Sequence, residues 1–382
     1  MSAFMSGVST AEAFAIGRFF ERCIHPLDES LAEIQSELSP EAVPVRGDKF
    51  HVRIAAAFEQ SQRACREFEA SNKENVELIA KTKKFFLERT AIWFDQSWIA
   101  HRSRTKPSGF AGDYEMLIKL YQQTTPAQGI GGYLDFCIQD LPLARAVRAR
   151  LACARDFLLE ALASRKGLVR ILDIASGPCR EFENWPELSG DTEVEIVAMD
   201  SDPLALEYVR NNVASKLPGT TRLRPVRHNA LRTRSAKATI QQFGRFDLIY
   251  SVGLCDYLTD DHLISLLSAW RETLQEGGVL YVAFKDTEQY DHTPYQWHLD
   301  WYFYQRTHDD VLALYSAAGF DVQALQLSRD ETGIITNYVY HDKPARILRV
   351  DDAQSAVPRL QEVETGSHLF ENSISSEAVD LN

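Results

Sequence analysis

The sequence lacks a long apolar run, an excess of positive charge and any paired cysteine spacing, and each absence excludes a class of protein. No apolar stretch approaches membrane-spanning length, and the N-terminus lacks the basic start and apolar block of a secretion signal. Lysine and arginine total 41 against 54 acidic residues, a net charge of −13, which disfavours nucleic acid as a partner. The six scattered cysteines suggest neither a disulfide framework nor a metal site. We therefore expect a soluble, cytoplasmic protein without membrane insertion.

The N-terminal third has a helical pattern. Glycines are few over residues 11–100, and apolar positions recur at helical spacing, for example over 50–58 and 76–86. The stretch 104–113 combines basic residues, proline and glycines, and we interpret it as an ordered loop. A glycine cluster at 129–132 precedes a long helical pattern over 143–164. The predicted organisation is a helical region over 1–140 that covers the active site, a main domain over 141–345, and a weakly ordered acidic tail over 346–382.

From residue 169 onward, short apolar strands alternate with helices. The predicted strands are 169–174, 194–199, 223–228, 246–252 and 278–284, and the helical patterns between and after them are 180–185, 203–214, 260–274 and 309–318. This alternation predicts an α/β fold with a doubly wound sheet and right-handed crossovers. Two further β-rich runs, 320–327 and 334–340, have no helix between them and predict a C-terminal antiparallel hairpin.

Polar residues follow the ends of these strands. The first strand ends in Asp173 and leads into a tight turn of small residues around Gly177, which lets backbone approach a ligand closely. Asp200 ends the second strand, where its carboxylate can accept hydrogen bonds from both hydroxyls of a ribose. Asn229 follows the third strand and can meet an adenine edge. The alternatives are that Asp173 only caps the following helix and that Asn229 is an ordinary turn residue.

The order and spacing of these motifs over 168–341 resemble those of the S-adenosylmethionine-dependent methyltransferases with a Rossmann-like sheet. The resemblance implies that Asp173 and Gly177 face the methionine end of the cofactor, Asp200 its ribose, Asn229 its adenine, and Ser251 the groove beside the sulfonium. The full set of implied cofactor-binding residues is Arg148, Asp173, Ala175, Gly177, Asp200, Ser201, Asn229, Ala230 and Ser251. The family's turn has three glycines, whereas this chain has Ala175 and Cys179 at the first and third of these positions. Both residues are small, so we expect the turn to survive.

The segment Arg104–Glu115 and the helix containing Ala146–Arg150 resemble a narrower bacterial branch of these enzymes. That branch has a helical N-terminal extension and includes methyltransferases thought to make 3-hydroxy fatty acid methyl esters. The resemblance implies that Arg148 binds the carboxylate of the cofactor, and the alternative is a surface ion pair of small energy. The substrate of the branch is not carried over to this chain.

Two segments supply candidate catalytic residues. The loop 104–113 carries Lys106 and Asp113, and its proline and glycines favour one fixed shape that closes over the methionine end of the cofactor. The aromatic segment 290–306, which follows the fifth strand, suggests an acceptor pocket. Its candidate residues are His298, Tyr302 and Arg306, with His298 expected in a partly exposed aromatic patch rather than as a metal ligand. The alternatives are a solvated charged loop and rings that only pack the helices on the sheet.

The sequence therefore predicts a methyltransferase that uses S-adenosylmethionine and acts on a small molecule, with O-methylation of a carboxylate or hydroxyl preferred to N-methylation. Methyl transfer from a sulfonium mainly requires alignment of the acceptor and exclusion of water. One rival is a nucleotide-dependent oxidoreductase, although the GxGxxG turn typical of such enzymes is absent. The other is a cofactor-binding regulatory protein without catalysis. The sequence leaves the oligomeric state open.

Overall fold

The computed structural model describes residues 9–188 and 191–342. The N-terminal part of these residues is helical, and a single π-helical turn, Phe20–Ile24, joins its first two helices. The predicted tail over 346–382 lies outside the described residues. The helices before the sheet are α1 (Thr10–Phe19), α2 (His25–Glu37), α3 (Lys49–Ser71), α4 (Val76–Phe94), α5 (Trp98–Thr105), α6 (Tyr114–Gln122), α7 (Gly129–Gln139) and α8 (Pro142–Ala163).

The glycine cluster at 129–132 forms the first turn of α7. A methyl group on Gly131 would lie 2.0 Å from the carbonyl oxygen of Gln96, and one on Gly132 would lie 2.4 Å from that of Ala127. These glycines therefore let α7 pack against neighbouring backbone at distances that no side chain allows.

The C-terminal part forms a seven-stranded sheet with the order β3-β2-β1-β4-β5-β7-β6. The pairings among β1 to β5 are parallel, and β7 is antiparallel to both β5 and β6, which confirms the predicted α/β fold and its terminal hairpin. The strands are β1 (Gly167–Ile174), β2 (Thr192–Asp200), β3 (Thr221–Arg227), β4 (Phe246–Val252), β5 (Leu274–Lys285), β6 (Gln326–Arg329) and β7 (Ile335–His341). The helices among them are α9 (Pro203–Asn212), α10 (Ala236–Phe243), α11 (Asp260–Thr273), α12 (Thr293–His298) and α13 (His308–Ala317).

Two predicted elements are shorter in the structure. The helical pattern over 180–185 is one 3₁₀ turn, Arg180–Phe182. The β-rich run 320–327 contributes only the start of β6, because the carboxylate of Asp321 accepts a hydrogen bond from the Gln323 amide (3.1 Å) and starts a 3₁₀ turn there. The register of the hairpin is consequently set by 326–329, which pair with residues of β7.

Candidate active site

A cavity of about 570 Å³ opens at the carboxyl ends of the parallel strands, the position at which open α/β sheets bind ligands. The sheet contributes polar residues from the ends of β1, β2 and β3, while the helical region contributes an apolar side that includes Ile99, Ile138 and Val147. Residues from before the sheet and from within it therefore share one cavity.

The turn after β1 borders this cavity. Ala175, Gly177 and Cys179 have φ angles of 58°, 52° and 49°, the left-handed region that glycine favours. The turn thus has the shape expected from the sequence, although alanine and cysteine each adopt this conformation at a cost of about 1–2 kcal/mol. The conformation is held by the Ser176 amide, which donates to the carbonyl oxygen of Met199 at the end of β2 (3.0 Å).

Asp200 lies at the end of β2 and connects the two turns that border the cavity. Its Oδ2 accepts a hydrogen bond from the Gly177 amide (2.8 Å), and its Oδ1 accepts one from the Asp202 amide (2.9 Å). Burial raises the pKa of the Asp200 carboxyl, and these backbone hydrogen bonds oppose the shift. Each oxygen keeps a further lone pair for a donor inside the cavity.

Asp202 begins α9 and presents a second carboxylate to the same region. Its Oδ1 accepts from the Leu204 amide (2.9 Å), which caps the helix. Its Oδ2 is buried and has no hydrogen-bond partner among the described residues. An unpartnered buried oxygen on a cavity wall indicates that a ligand donor completes its hydrogen bonding.

Asp173 lies in a smaller adjoining cavity of about 40 Å³ and does not line the main one. Cys179 Sγ donates to its Oδ2 (3.5 Å), and Tyr250 donates to the neighbouring Glu181 (2.6 Å). One ligand atom from each of Asp173, Cys179 and Glu181 lies within 4.8 Å of the others, a spacing that a metal ion can use. Burial raises the pKa of both carboxyls.

The arginine that faces the cavity is Arg150, not Arg148. Arg148 Nη2 donates to the carbonyl oxygen of Gln139 (3.0 Å), whereas Arg150 lines the cavity with only 5 % of its surface exposed. Within the described residues, Arg150 forms no ion pair with a carboxylate, its Nε has no hydrogen-bond partner, and its guanidinium interacts with the Tyr121 hydroxyl. A methyl group on Gly253 would lie 2.7 Å from Arg150 Nη2, so this glycine makes room for the guanidinium. The buried charge indicates an anionic ligand.

The other residues implied by the family resemblance divide into two groups. Ser201, Asn229 and Ala230 line the cavity, and Asn229 also accepts a hydrogen bond from the Leu231 amide (2.9 Å). Ser251 is completely buried and lies outside the cavity wall, where it donates to the carbonyl oxygen of Ile174 (3.0 Å). Ser251 therefore ties β4 to β1, and its implied position beside a ligand stays a prediction.

The loop predicted over 104–113 begins later than expected, because Arg104 is still in α5. Lys106 ends that helix with a φ of 47° and pairs with Asp300 outside the cavity wall. Asp113 does line the cavity, but its carboxylate caps α6 through the Met116 amide (2.9 Å) and pairs with Arg102 (2.9 Å). Asp113 thus holds the loop in place.

His298, Tyr302 and Arg306 do not line this cavity, and an acceptor pocket at these positions stays a prediction. His298 is fully buried rather than partly exposed, and burial lowers its pKa to about 3. Its Nε2 lies 2.9 Å from Ser61 Oγ in the helical core. Tyr302 is 46 % exposed, and Arg306 forms an ion pair with Asp260 (2.6 Å).

An aromatic wall, which consists of Phe110, Tyr257, Tyr295, Trp301 and Phe303, encloses the cavity beside the ends of β4 and β5. Three of these residues come from the predicted aromatic segment, so the segment reaches the cavity through rings other than Tyr302. Lys285 ends β5 beside this wall, and sequence reasoning missed it. The signal was present, because a charged residue follows a buried apolar strand there as Asp200 does after β2.

No protein-family model and no curated protein matches the chain. Among solved structures, a possible exported protein from Bordetella parapertussis is similar at 17 % identity and a TM-score of 0.50, over 89 % of this chain and 100 % of that one. The match therefore extends beyond the sheet into the helical region.

Two methyltransferases show more distant similarity. Magnesium protoporphyrin IX methyltransferase from Synechocystis PCC 6803, with bound S-adenosylmethionine, is 10 % identical at a TM-score of 0.36, over 52 % of this chain and 83 % of that one. The N-methyltransferase NodS from Bradyrhizobium japonicum WM9 is 14 % identical at a TM-score of 0.32, over 50 % of this chain and 96 % of that one. No helix in the described part of the chain is long and apolar enough to cross a membrane.

Proposed function

We propose that the protein is an S-adenosylmethionine-dependent methyltransferase that acts on a small molecule, with methylation at oxygen preferred. The observation that carries this proposal is the position of Asp200, whose carboxylate is fixed by the Gly177 and Asp202 amides at the end of β2 and lies on the cavity wall. In that position it accepts hydrogen bonds from the two hydroxyls of a ribose.

The residues present fit the cofactor at three further points. The unpartnered Asp202 Oδ2 can accept a hydrogen bond from the ligand, and Asn229 and Ala230 can border the adenine. Arg150, the buried cation without a carboxylate partner, can bind the carboxylate of the methionine portion. When bound, the cofactor supplies an electrophilic methyl group.

The rest of the cavity would position the acceptor and exclude water. Ile99, Phe110 and Ile138 extend the wall from the helical region over the ends of the strands, and the aromatic wall closes the side next to β4 and β5. An already activated methyl donor mainly requires a dry site and a fixed acceptor, which these residues provide. The helical region over 1–140 accordingly belongs to the active site in this proposal.

Calorimetric titration of the full-length protein with S-adenosylmethionine, S-adenosylhomocysteine and NADH tests the cofactor. We expect both adenosyl compounds to bind and NADH not to bind. Mass spectrometry of reactions with a panel of hydroxyl compounds, carboxylic acids and amines then tests catalysis. Binding of NADH alone would replace the proposal with an oxidoreductase, and cofactor binding without any methylated product would favour a regulatory protein.

A further inference from the structure

Lys285 and Asp256 form a buried ion pair at the edge of the cavity. The Lys285 ammonium contacts Asp256 Oδ2, and Asp256 Oδ1 accepts a hydrogen bond from the Lys285 amide (3.1 Å). Each side chain is only 4 % exposed. Lys285 lines the cavity, whereas Asp256 does not.

The aromatic wall surrounds this amine. Lys285 Nζ lies 4.0 Å from the centroid of the Phe303 ring and 5.8 Å from that of Tyr257. The hydroxyl of Tyr257 accepts a hydrogen bond from Trp301 Nε1 (2.8 Å), which fixes both rings. A flat apolar molecule can therefore lie against the rings with a polar group directed at Lys285.

The charges in the cavity distinguish the classes of acceptor. Asp256 already balances the charge of Lys285, and it would repel a second carboxylate placed beside that amine. Arg150 lines the cavity and has no carboxylate partner in the described part of the chain, and the proposed cofactor supplies one. A neutral acceptor is not repelled by Asp256 and does not compete with the cofactor carboxylate for Arg150. We propose that the acceptor of this methyltransferase is a hydroxyl compound with an aromatic or other apolar body, and that Lys285 is the base that removes its proton.

The proposed step balances in atoms and charge. The acceptor hydroxyl gives its proton to neutral Lys285 Nζ, its oxygen forms a bond to the methyl carbon, and the carbon–sulfur bond of the sulfonium breaks. The products are the methyl ether, the neutral thioether and an ammonium at Lys285. Asp256 and the face of the Phe303 ring stabilise that ammonium as it forms.

The surroundings of Lys285 let its ammonium lose the proton at a much lower pH than an exposed lysine does. Burial has the largest effect and lowers its pKa to about 8, with Arg150 on α8 acting in the same direction. Asp256 and Cys255, both in the turn after β4, oppose the shift. The proton affinity of the amine is therefore close to that required of a general base.

The test compares 2-naphthol, 2-naphthoic acid and 2-naphthylamine, which carry a hydroxyl, a carboxylate and an amine on the same ring system. Each is supplied to the full-length protein with S-adenosylmethionine, and methylated products are measured by mass spectrometry. We expect 2-naphthol to be methylated and its rate to rise with pH through a midpoint near 8, as Lys285 loses its proton. Preference for the acid or the amine, or no reaction of 2-naphthol with a protein that binds the cofactor, would overturn the proposal.

Variants of Lys285 separate a base from a positive charge that only holds the acceptor. Lys285→Met should lower kcat at least about a hundredfold and leave cofactor affinity unchanged. Lys285→Arg keeps the charge but cannot lose its proton, so it should be equally impaired. Recovery of activity in the arginine variant would contradict the proposed base. The matched control is Lys83→Met, which removes another buried, ion-paired lysine away from the cavity and should react normally.

Asp256→Asn provides a readout that a purely structural role would not change. It removes the opposite charge that raises the pKa of Lys285, so the midpoint of the pH–rate profile should move to lower pH. An unshifted midpoint would mean that another group is the base. This inference rests on the proposed function. Calorimetry distinguishes failure of the proposed function from failure of this inference. If S-adenosylmethionine does not bind, the methyltransferase proposal is refuted. If it binds and Lys285→Met turns over at the normal rate, only the role of Lys285 as the base is refuted.

Discussion

Replacement of Asp200 by alanine should weaken the binding of S-adenosylmethionine far more than it weakens the fold. The carboxylate has spare lone pairs toward the cavity and two backbone hydrogen bonds, of 2.8 Å from the Gly177 amide and 2.9 Å from the Asp202 amide. Loss of a charge-assisted hydrogen bond to the ribose costs about 1.5–3 kcal/mol. The dissociation constant should therefore rise about ten- to a hundredfold.

The same substitution leaves the two backbone amides without their acceptor, so a loss of stability of about 1–2 kcal/mol should accompany the loss of affinity. Calorimetric titration measures the affinity, and chemical unfolding without ligand measures the stability. The matched control is Asp321→Ala, which removes a carboxylate that accepts the Gln323 amide (3.1 Å) far from the cavity and should lower stability alone. A folded Asp200→Ala protein that binds the cofactor with unchanged affinity would refute the placement of Asp200 in the cofactor site.

Three further predictions concern the arginines of α8, the loop before α6 and a buried histidine. Arg150→Gln should weaken the binding of S-adenosylhomocysteine about tenfold or more, but it should not change the binding of 5′-methylthioadenosine, which lacks the carboxylate. Arg148→Gln should change the affinity for neither compound. Gly112→Ala places a methyl group 2.6 Å from a tryptophan ring of the aromatic wall and should lower turnover up to about a hundredfold. Gly219→Ala, which has open space around it, should leave turnover unchanged in the same assay. Burial lowers the pKa of His298 to about 3 in the folded protein, so as the pH falls the histidine is protonated in the unfolded state before it is protonated in the folded state. The free energy of unfolding should therefore fall between pH 6.5 and 3, by up to about 1.4 kcal/mol per pH unit. Unfolding curves of His298→Gln should show a flatter pH dependence.

The strand ends were predictable because the signals there are local. Asp200 ends β2, Asn229 lies two residues beyond the end of β3, and parallel strands bring their carboxyl ends to one edge of a sheet. Ala175 shows that a departure from the family's glycine pattern does not remove the turn, since it adopts a φ of 58°. The same local rule, applied to the end of β5, would have identified Lys285.

The arginines and the aromatic segment were not predictable from local pattern. Residues two positions apart on a helix point about 200° apart, so the choice between Arg148 and Arg150 depends on which face of α8 meets the sheet. His298 lies at the end of α12, and its surroundings come from Phe58, Phe86 and Phe94 on α3 and α4, far away in the sequence. Only the packing of the helical region on α12 makes it a core residue.

The position of β7 has a consequence for synthesis of the chain. The run Val279–Phe284 in β5 is apolar, and β7, the last strand in the described part of the chain, covers one edge of it. Until β7 leaves the ribosome, that edge presents unpaired amide and carbonyl groups on a sequence suited to cross-β association. Proteins cut short before residue 335 should therefore aggregate, and delay between synthesis of β5 and β7 should increase the demand for chaperones.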